Sequence, residues 1–473
     1  MLFKRIPLFF VLLLLVNFPA KPQTGNSVLV GTWQGALKVS AIELRIVFNV
    51  SDSAGQLTAN MDSPDQNAFG IKVDSTSFEN NSVYFYISAV KGYYDGVLDK
   101  DSINGTWHQM GSSWQLVLKK SGKVEAPKRP QTPEKPYPYN EEDVTFEDST
   151  AGITLAGTLT IPKEGGPFPA VVLVTGSGPQ DRDETLLGHK PFLVLSDYLT
   201  RQGIAVLRYD DRGIGKSGGN FSGATTKDFV NDALAAIEFL KKREDIRHDE
   251  TGIIGHSEGG LIAPMAAVKS SNVNFIVLMA GPGVNGKEIL FEQTRLIEKA
   301  MGENEDKING DISLSNKIYD IVENEKDSSE AIKNIETIYK NYYASLDSTD
   351  KAEYGNDPDA MFEKQAQTVL SPWFKFFLTY NPEPTLEKVK VPVLAVNGAN
   401  DLQVPPKQNL PVIEAALKKG GNKDFEFKEI PKLNHLFQTS ETGSPSEYSK
   451  IEETISPEAL KIIGDWIIAH TKK

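Results

Sequence analysis

Two patterns of apolar and polar positions divide this chain. From about Ser27 to Lys120 the apolar runs are short. Leu44, Ile46 and Phe48 are interleaved with Arg45, Val47 and Asn49, and Val83 to Ile87 and Trp114 to Leu118 are rich in aromatic and β-branched residues. A period of two with such residues predicts strands. Turn signals separate them at Ala54-Gly55, Glu79-Asn80-Asn81 and Asp99-Lys100-Asp101. Gly31-Thr32-Trp33 is echoed by Gly105-Thr106-Trp107, and the echo is read as two adjacent strands closing a small antiparallel sheet or barrel. Tyr84, Tyr86, Tyr93 and Tyr94 are expected to pack in its core rather than to form a binding face. His108, the only histidine here, is expected to be structural.

Pro127, Pro130, Pro133, Pro136 and Pro138 then fall in a short polar stretch. Such a segment stays extended and semi-rigid, so residues 121–140 are read as a linker between domains. Beyond Glu141 the pattern changes. Val144 to Glu147 and Ile153 to Ile161 predict an antiparallel pair. Ala170 to Thr175 and Ile204 to Tyr209 are unbroken apolar runs, as expected of strands buried on both faces. Helical spacing at Phe192 to Arg201 and Thr226 to Lys242 alternates with them, which predicts a mostly parallel sheet with flanking helices. From about 285 to 380 the alternation gives way to charged, helix-rich sequence, read as a cap inserted over the sheet. Strands resume at Val391 to Val396 and Phe425 to Ile430, and the last helix is expected from about Pro457 to His470.

Composition changes the picture in three ways. The net charge is −13, and no basic tract of useful length appears, which argues against nucleic acid and anionic membrane surfaces as partners. There are no cysteines, so disulfides, thiolate metal sites, a cysteine nucleophile and a lipid-modified N-terminal cysteine are excluded. The first residues read as an export signal: Lys4 and Arg5, an apolar run at Phe9 to Val16, and a small-residue exit at Pro19-Ala20. The run is shorter than the ~20 residues that a spanning helix needs. Cleavage is expected near Ala20 to Gln23, with residues 1–23 as the signal, 24–120 as the β-rich domain and 141–473 as the second domain. The mature protein is then expected in the periplasm or outside the cell, with no membrane span.

The candidate chemistry lies in Thr251 to Gly260, which contains Gly255-His256-Ser257-Glu258-Gly259 between a short apolar strand and a small-residue helix. Gly-x-Ser-x-Gly in that setting turns from strand to helix in about two residues and leaves the serine Oγ exposed at the tip of a sheet. A serine is a poor nucleophile until a base takes its proton and a carboxylate holds that base in the right tautomer. On such an elbow the chain order is serine, acid, histidine. Of the six histidines, His256 adjoins Ser257 and is read as pointing elsewhere, and His470 lies in the terminal helix. His435, in the loop after the last strand, is the remaining base. Asp401 is the carboxylate in the turn Asn397 to Pro405, where the acid belongs. Backbone amides of Glu258 and Ser177, with Gly178 as the alternative to Ser177, are the candidate oxyanion donors. The Glu258 carboxylate is given no chemical role beyond suiting a helix start. No cofactor or metal motif appears: there is no His-Glu-x-x-His and no dinucleotide-binding glycine run.

With these residues in view, the domain from Glu141 onward resembles the α/β-hydrolase superfamily. It is similar in particular to bacterial serine carboxylesterases that carry Gly-Ser-Gly-Pro-x-Asp-Arg-Asp, here Gly176 to Asp183. Tyr209 to Ser217, Gly255 to Gly260 and Gly398 to Pro405 complete four motifs in the expected order. The resemblance implies Ser257, Asp401 and His435 as a catalytic triad, with Asp181, Arg182 and Arg212 bracing loops by ion pairs. Thr175-Gly176 stands where the family's usual His-Gly oxyanion signature would be. The expectation is an exported serine hydrolase cleaving small or medium carboxylic esters. A serine peptidase or acyl transferase of the same fold, and an inactive binding protein, are the alternatives. A dehalogenase is disfavoured because it would place an aspartate at the elbow. The β-rich domain is expected to be dispensable for the chemistry.

Overall fold

The computed structural model describes residues 26–471 except 40–41, 54, 67, 110–111, 123–126, 347–350 and 352–357. The expected signal segment lies outside the described residues. Nine strands form the first sheet: β1 (Gly31–Val39), β2 (Ile42–Ser53), β3 (Gln56–Ser63), β4 (Ala68–Lys72), β5 (Ser75–Glu79), β6 (Ser82–Ile87), β7 (Gly92–Asp99), β8 (Ser102–Gln109) and β9 (Ser112–Ser121). Their order is β4-β3-β2-β1-β9-β8-β7-β6-β5, antiparallel throughout. Alternate residues face one core, where Trp33, Phe48, Phe85, Tyr94 and Trp107 are buried and the Phe48 and Phe85 rings stack at 4.3 Å.

Two expectations need correction here. The echoed strands β1 and β8 are not neighbours, because both pair with β9 between them. Trp33 and Trp107 share an inward face, and every strand around a common core has that face, so the repeat reported orientation and not adjacency. The tyrosines also divide. Tyr94 is buried and donates its hydroxyl to the carbonyls of Ile103 and Leu116, whereas Tyr86 and Tyr93 are 40% and 38% exposed on the outer face.

The described part of the proline-rich segment is docked, not free. Arg129 donates to the carbonyls of Leu187, Ser449 and Ile451 at 2.9, 2.9 and 3.0 Å, and Gln131 to that of Ile455 at 2.7 Å. Prolines cannot join a strand ladder, so side chains between them make the attachment. Nearby, Leu44 of β2 packs into a small apolar cluster with Leu186, Leu187, Leu436 and Tyr448.

The second sheet has eight strands: β10 (Asn140–Asp148), β11 (Ile153–Ile161), β12 (Phe168–Val174), β13 (Ala205–Tyr209), β14 (Ile246–His256), β15 (Phe275–Met279), β16 (Val393–Gly398) and β17 (Phe425–Ile430). The order is β10-β11-β13-β12-β14-β15-β16-β17, with β10 and β11 antiparallel and the rest parallel. Helices α1 (Pro191–Arg201), α2 (Thr226–Leu240) and α3 (Gly259–Lys269) fall between these strands. Among the described residues, five further helices of eight or more residues lie between β15 and β16: α4 (Gly286–Ala300), α5 (Glu305–Asn324), α6 (Ser328–Ser345), α7 (Pro358–Val369) and α8 (Pro372–Thr379). Then come α9 (Pro406–Lys419) and α10 (Pro457–Thr471). One face of the sheet buries α2, α3 and α9, through residues such as Ala233, Ala263 and Leu417. The other buries α1 and α10, through Leu195 and Ile463. Every residue of β12 and β15 is buried, which is why their sequences are unbroken apolar runs. This three-layer arrangement is the α/β-hydrolase fold. Among the described residues no helix is long and apolar enough to cross a membrane.

Candidate active site

Parallel strands deliver their loops to one edge, the C-terminal end, and the candidate residues arrive there from four of them. β14 ends at His256 and α3 begins at Gly259, so Ser257 makes the turn, at φ +52°. A non-glycine residue in that region costs on the order of 1–3 kcal/mol and persists only where its surroundings force it. They do: Ser257 N donates to Met279 O at 2.8 Å. A Cβ on Gly255 would sit 1.9 Å from Gly259 O, and one on Gly259 would sit 2.3 Å from Val174 O. Neither position admits a side chain, which is the physical content of the two motif glycines.

Asp401 follows β16 and His435 follows β17. Asp401 Oδ2 lies 2.9 Å from His435 Nδ1, and both side chains are buried. Asp401 Oδ1 accepts from the amides of Gln403 and Val404 at 2.8 and 2.9 Å. The two loops are zipped together: Asn400 N donates to Leu433 O at 2.9 Å, and a Cβ on Gly398 would fall 2.1 Å from Leu433 O. Asn434 Oδ1 accepts from the amides of Leu436 and Gln438, which folds the chain around His435. With Nδ1–H donated to Asp401, the lone pair is left on Nε2. Among the described residues no hydrogen bond joins Ser257 Oγ to His435. Catalytic contacts of this kind often close only when substrate is bound.

The loop after β12 reaches the serine closely, since a Cβ on Gly176 would lie 3.2 Å from the Ser257 Cβ. Gly176 N donates to Glu184 Oε1 at 2.8 Å and is therefore committed. Among the described residues the amides of Ser177, Gly178 and Glu258 donate to no protein acceptor. They remain available to a ligand, with Gly178 at φ +95°. Behind this loop is a cavity of about 10 Å³ lined by Thr175, Gly176, Asp211, Asp232 and Glu258. It holds one water at most and no substrate. A larger apolar cluster joins Leu261 of α3, Ile289 and Phe377 of the inserted helices, and Val404 of the acid loop.

Two features escaped the sequence. The Glu258 side chain is not at a solvated helix start. It is buried, accepting from Thr226 Oγ1 at 2.6 Å and from Trp373 Nε1 at 2.9 Å. Burial pushes its carboxyl up, against the hydrogen bonds from Thr226, Trp373 and Ser177. His256 does not merely point away: Nδ1 is 2.9 Å from Glu184 Oε1, and Nε2 is 3.0 Å from the carbonyl oxygen of His435 itself. No local signal marks either contact, because the partners are remote in sequence. Arg182 pairs with Asp210 at 2.7 Å and Arg212 with Asp232 at 2.7 Å, tying the loops behind the site. His470 is remote from it, hydrogen-bonded to Trp466 O and stacked on the Trp466 ring.

Residues 191–442 match the family described as serine aminopeptidase, S33. Esterase EstD of Thermotoga maritima is 28% identical over 338 residues, 70% of this chain and 68% of that protein. Among solved structures, the esterase Pf2001 of Pyrococcus furiosus has a TM-score of 0.41 at 15% identity, covering 70% of this chain and 90% of that one. Est1E of Butyrivibrio proteoclasticus, solved with ferulic acid bound, has a TM-score of 0.39 at 17% identity, covering 70% and 100%. The family match takes in more than half of the chain, including the loops of Ser257, Asp401 and His435, and leaves out the first sheet and the Gly176 loop. This chain belongs to the serine aminopeptidase S33 family and is a serine hydrolase of the α/β-hydrolase fold.

Proposed function

We propose that this protein is an exported carboxylesterase that cleaves esters of small or medium acyl groups through an acyl-enzyme on Ser257. The observation that carries the reading is the buried 2.9 Å bond between Asp401 and His435, beside a serine held at positive φ. In the reaction, His435 Nε2 takes the Ser257 proton as Oγ bonds to the ester carbonyl carbon. The carbonyl oxygen, now negative, is held by the amides of Glu258 and of Ser177 or Gly178. Asp401 stabilises the imidazolium, which protonates the departing alkoxide as the C–O bond breaks. Water repeats the sequence on the acyl-enzyme and releases the acid. The inserted helices act as a cap, and the Leu261–Ile289–Phe377–Val404 cluster is the apolar wall for the acyl chain.

The family description favours a second reading, release of an N-terminal amino acid. That activity needs a carboxylate free to hold the substrate ammonium. Glu258, the carboxylate next in sequence to the nucleophile, is already engaged by Thr226 and Trp373, which supports the ester reading. A panel of p-nitrophenyl esters beside aminoacyl-arylamides separates the two. Ester turnover of at least a hundredfold greater kcat/KM is expected, and the reverse ranking would overturn the proposal. Export is tested on protein recovered from periplasm or medium, whose first residue is expected between Lys21 and Thr24.

A further inference from the structure

His256 sits between two oxygens that cannot both be served by a neutral ring. Nδ1 faces the Glu184 carboxylate at 2.9 Å, and Nε2 faces the His435 carbonyl at 3.0 Å. A carbonyl oxygen only accepts, and Glu184 Oε1 already accepts the Gly176 amide at 2.8 Å. Two acceptors ask for two ring protons. All three side chains are buried, with Glu184, His256 and His435 at 6%, 6% and 5% exposure. Glu184 itself is held at φ +52°, a strained conformation.

We propose that His256 is a positioning residue for the hydrolysis, kept as an imidazolium by Glu184, and that this buried ion pair clamps the loop of His435 to the loop of Gly176. This rests on reading Ser257, Asp401 and His435 as the machinery. One carboxylate then fixes two things. Through the Gly176 amide it sets the loop whose next amides face the oxyanion. Through His256 it sets the backbone of the base. The charged and titratable groups facing His256 are Glu184, from the loop before α1, Asp401, from the loop after β16, and the His435 ring, from the loop after β17, whose centroid is 4.9 Å away. Burial, the largest single influence, disfavours the charged ring, but the Glu184 carboxylate, the His435 carbonyl and Asp401 together outweigh it and hold His256 above its ordinary value. When pH rises far enough to remove a proton, the carboxylate, the stronger acceptor, keeps the Nδ1 proton. The bond lost is then the one to the His435 carbonyl. Activity is therefore expected to fall with the imidazolium, because displacement of a catalytic group by about 1 Å costs about 10²-fold.

The test has two arms. In the first, the intact wild-type protein, labelled with ¹⁵N-histidine, is followed by ¹H NMR. At pH 7.5 two nitrogen-bound downfield protons are expected from the ring that disappears in His256→Gln. On raising the pH, the Nε2 proton is expected to be lost over the same range as the fall in kcat/KM, while the Nδ1 proton remains. In the second arm, His256→Gln offers an uncharged donor that does not titrate. Its kcat is expected to drop on the order of 10²-fold with KM within about twofold, and its alkaline loss of activity should disappear. A His256 ring carrying one proton at pH 7.5, or deprotonation without change in kcat/KM, overturns the proposal. So does an alkaline limb that persists in a folded His256→Gln. Where His256→Gln fails to fold, the two protons are assigned in the wild type by their proximity to the Gly176 amide and to the His435 backbone, so the NMR arm still decides the matter. Loss of fluorophosphonate labelling in Ser257→Ala judges the underlying reading separately.

Discussion

Trp373, on the inserted helix α8, donates its indole N–H to the carboxylate of Glu258, the residue that follows Ser257. The helices between β15 and β16 are thus fastened to the elbow by a part-buried polar contact. Trp373→Phe keeps the ring that stacks on Phe377 at 5.4 Å but deletes the donor. A buried acceptor left short of a partner costs about 1–3 kcal/mol. Denaturant melts should show a loss of that size, and Glu258→Gln combined with Trp373→Phe should add less than the sum, since both changes act on one contact.

Ser257→Ala should keep its melting profile and lose all labelling by a fluorophosphonate, since the reagent requires an activated serine. Persistent labelling would place the nucleophile elsewhere.

Asp401→Asn should lower kcat by about 10⁴-fold, the loss found for a triad in which an amide favours the wrong tautomer. His435→Ala should be at least as damaging, and the double variant little worse than His435→Ala alone. His470→Ala should leave kcat/KM within about twofold, since its ring lies against Trp466. Multiplying losses in the double variant would mean that another carboxylate orients the base.

The front domain should matter more than a proline-rich tether implies. Leu44 packs in the same cluster as Leu436, the residue after His435, and Arg129 and Gln131 hold the 449–455 segment. A chain beginning at Pro138 is expected to lose both attachments, to melt earlier and to show reduced kcat on a small soluble ester. Wild-type kcat in that chain would restore the view that the domain is dispensable.

Acid should destabilise the fold partly through His189. Burial, helped by Arg129, pushes its ring down to about 4. Between pH 6.5 and 4 the unfolded chain therefore binds a proton that the folded chain does not, so stability falls as pH falls through that window. Asp211 and Asp232 act in the opposite sense, pushed by burial up to about 8 and about 6. The difference between wild type and His189→Gln isolates the histidine. It should change by up to about 1.4 kcal/mol per pH unit in urea melts between pH 6.5 and 4, and a flat difference would contradict it.

Much of this layout was legible because strand ends and loops follow local pattern. The apolar runs at Ala170 to Thr175 and Val391 to Val396 overlap strands β12 (Phe168–Val174) and β16 (Val393–Gly398), and the loops bearing Ser257, Asp401 and His435 do meet at one sheet edge. What stayed hidden is contact between residues far apart in sequence. Glu184 and His256 are 72 positions apart, and Trp373 and Glu258 are 115 apart. Their residue types fit a helix or loop equally well without each other. The Gly-Thr-Trp echo misled for a related reason: local pattern reports which way a side chain faces, not which strand lies next to it.

The order in which the site is assembled has a consequence for the life of the chain. Its parts run from the Gly176 loop to His435, and the strands that place the acid and the base, β16 and β17, lie at the outer edge of the sheet. A ribosome delivers domains N-terminal end first. During most of synthesis, then, the serine has neither base nor acid within reach. On the proposed triad, hydrolytic power arrives only with the last strands, β16 and β17. A chain carried unfolded across a membrane would be inert toward the esters of the compartment that made it, and would switch on only where it folds.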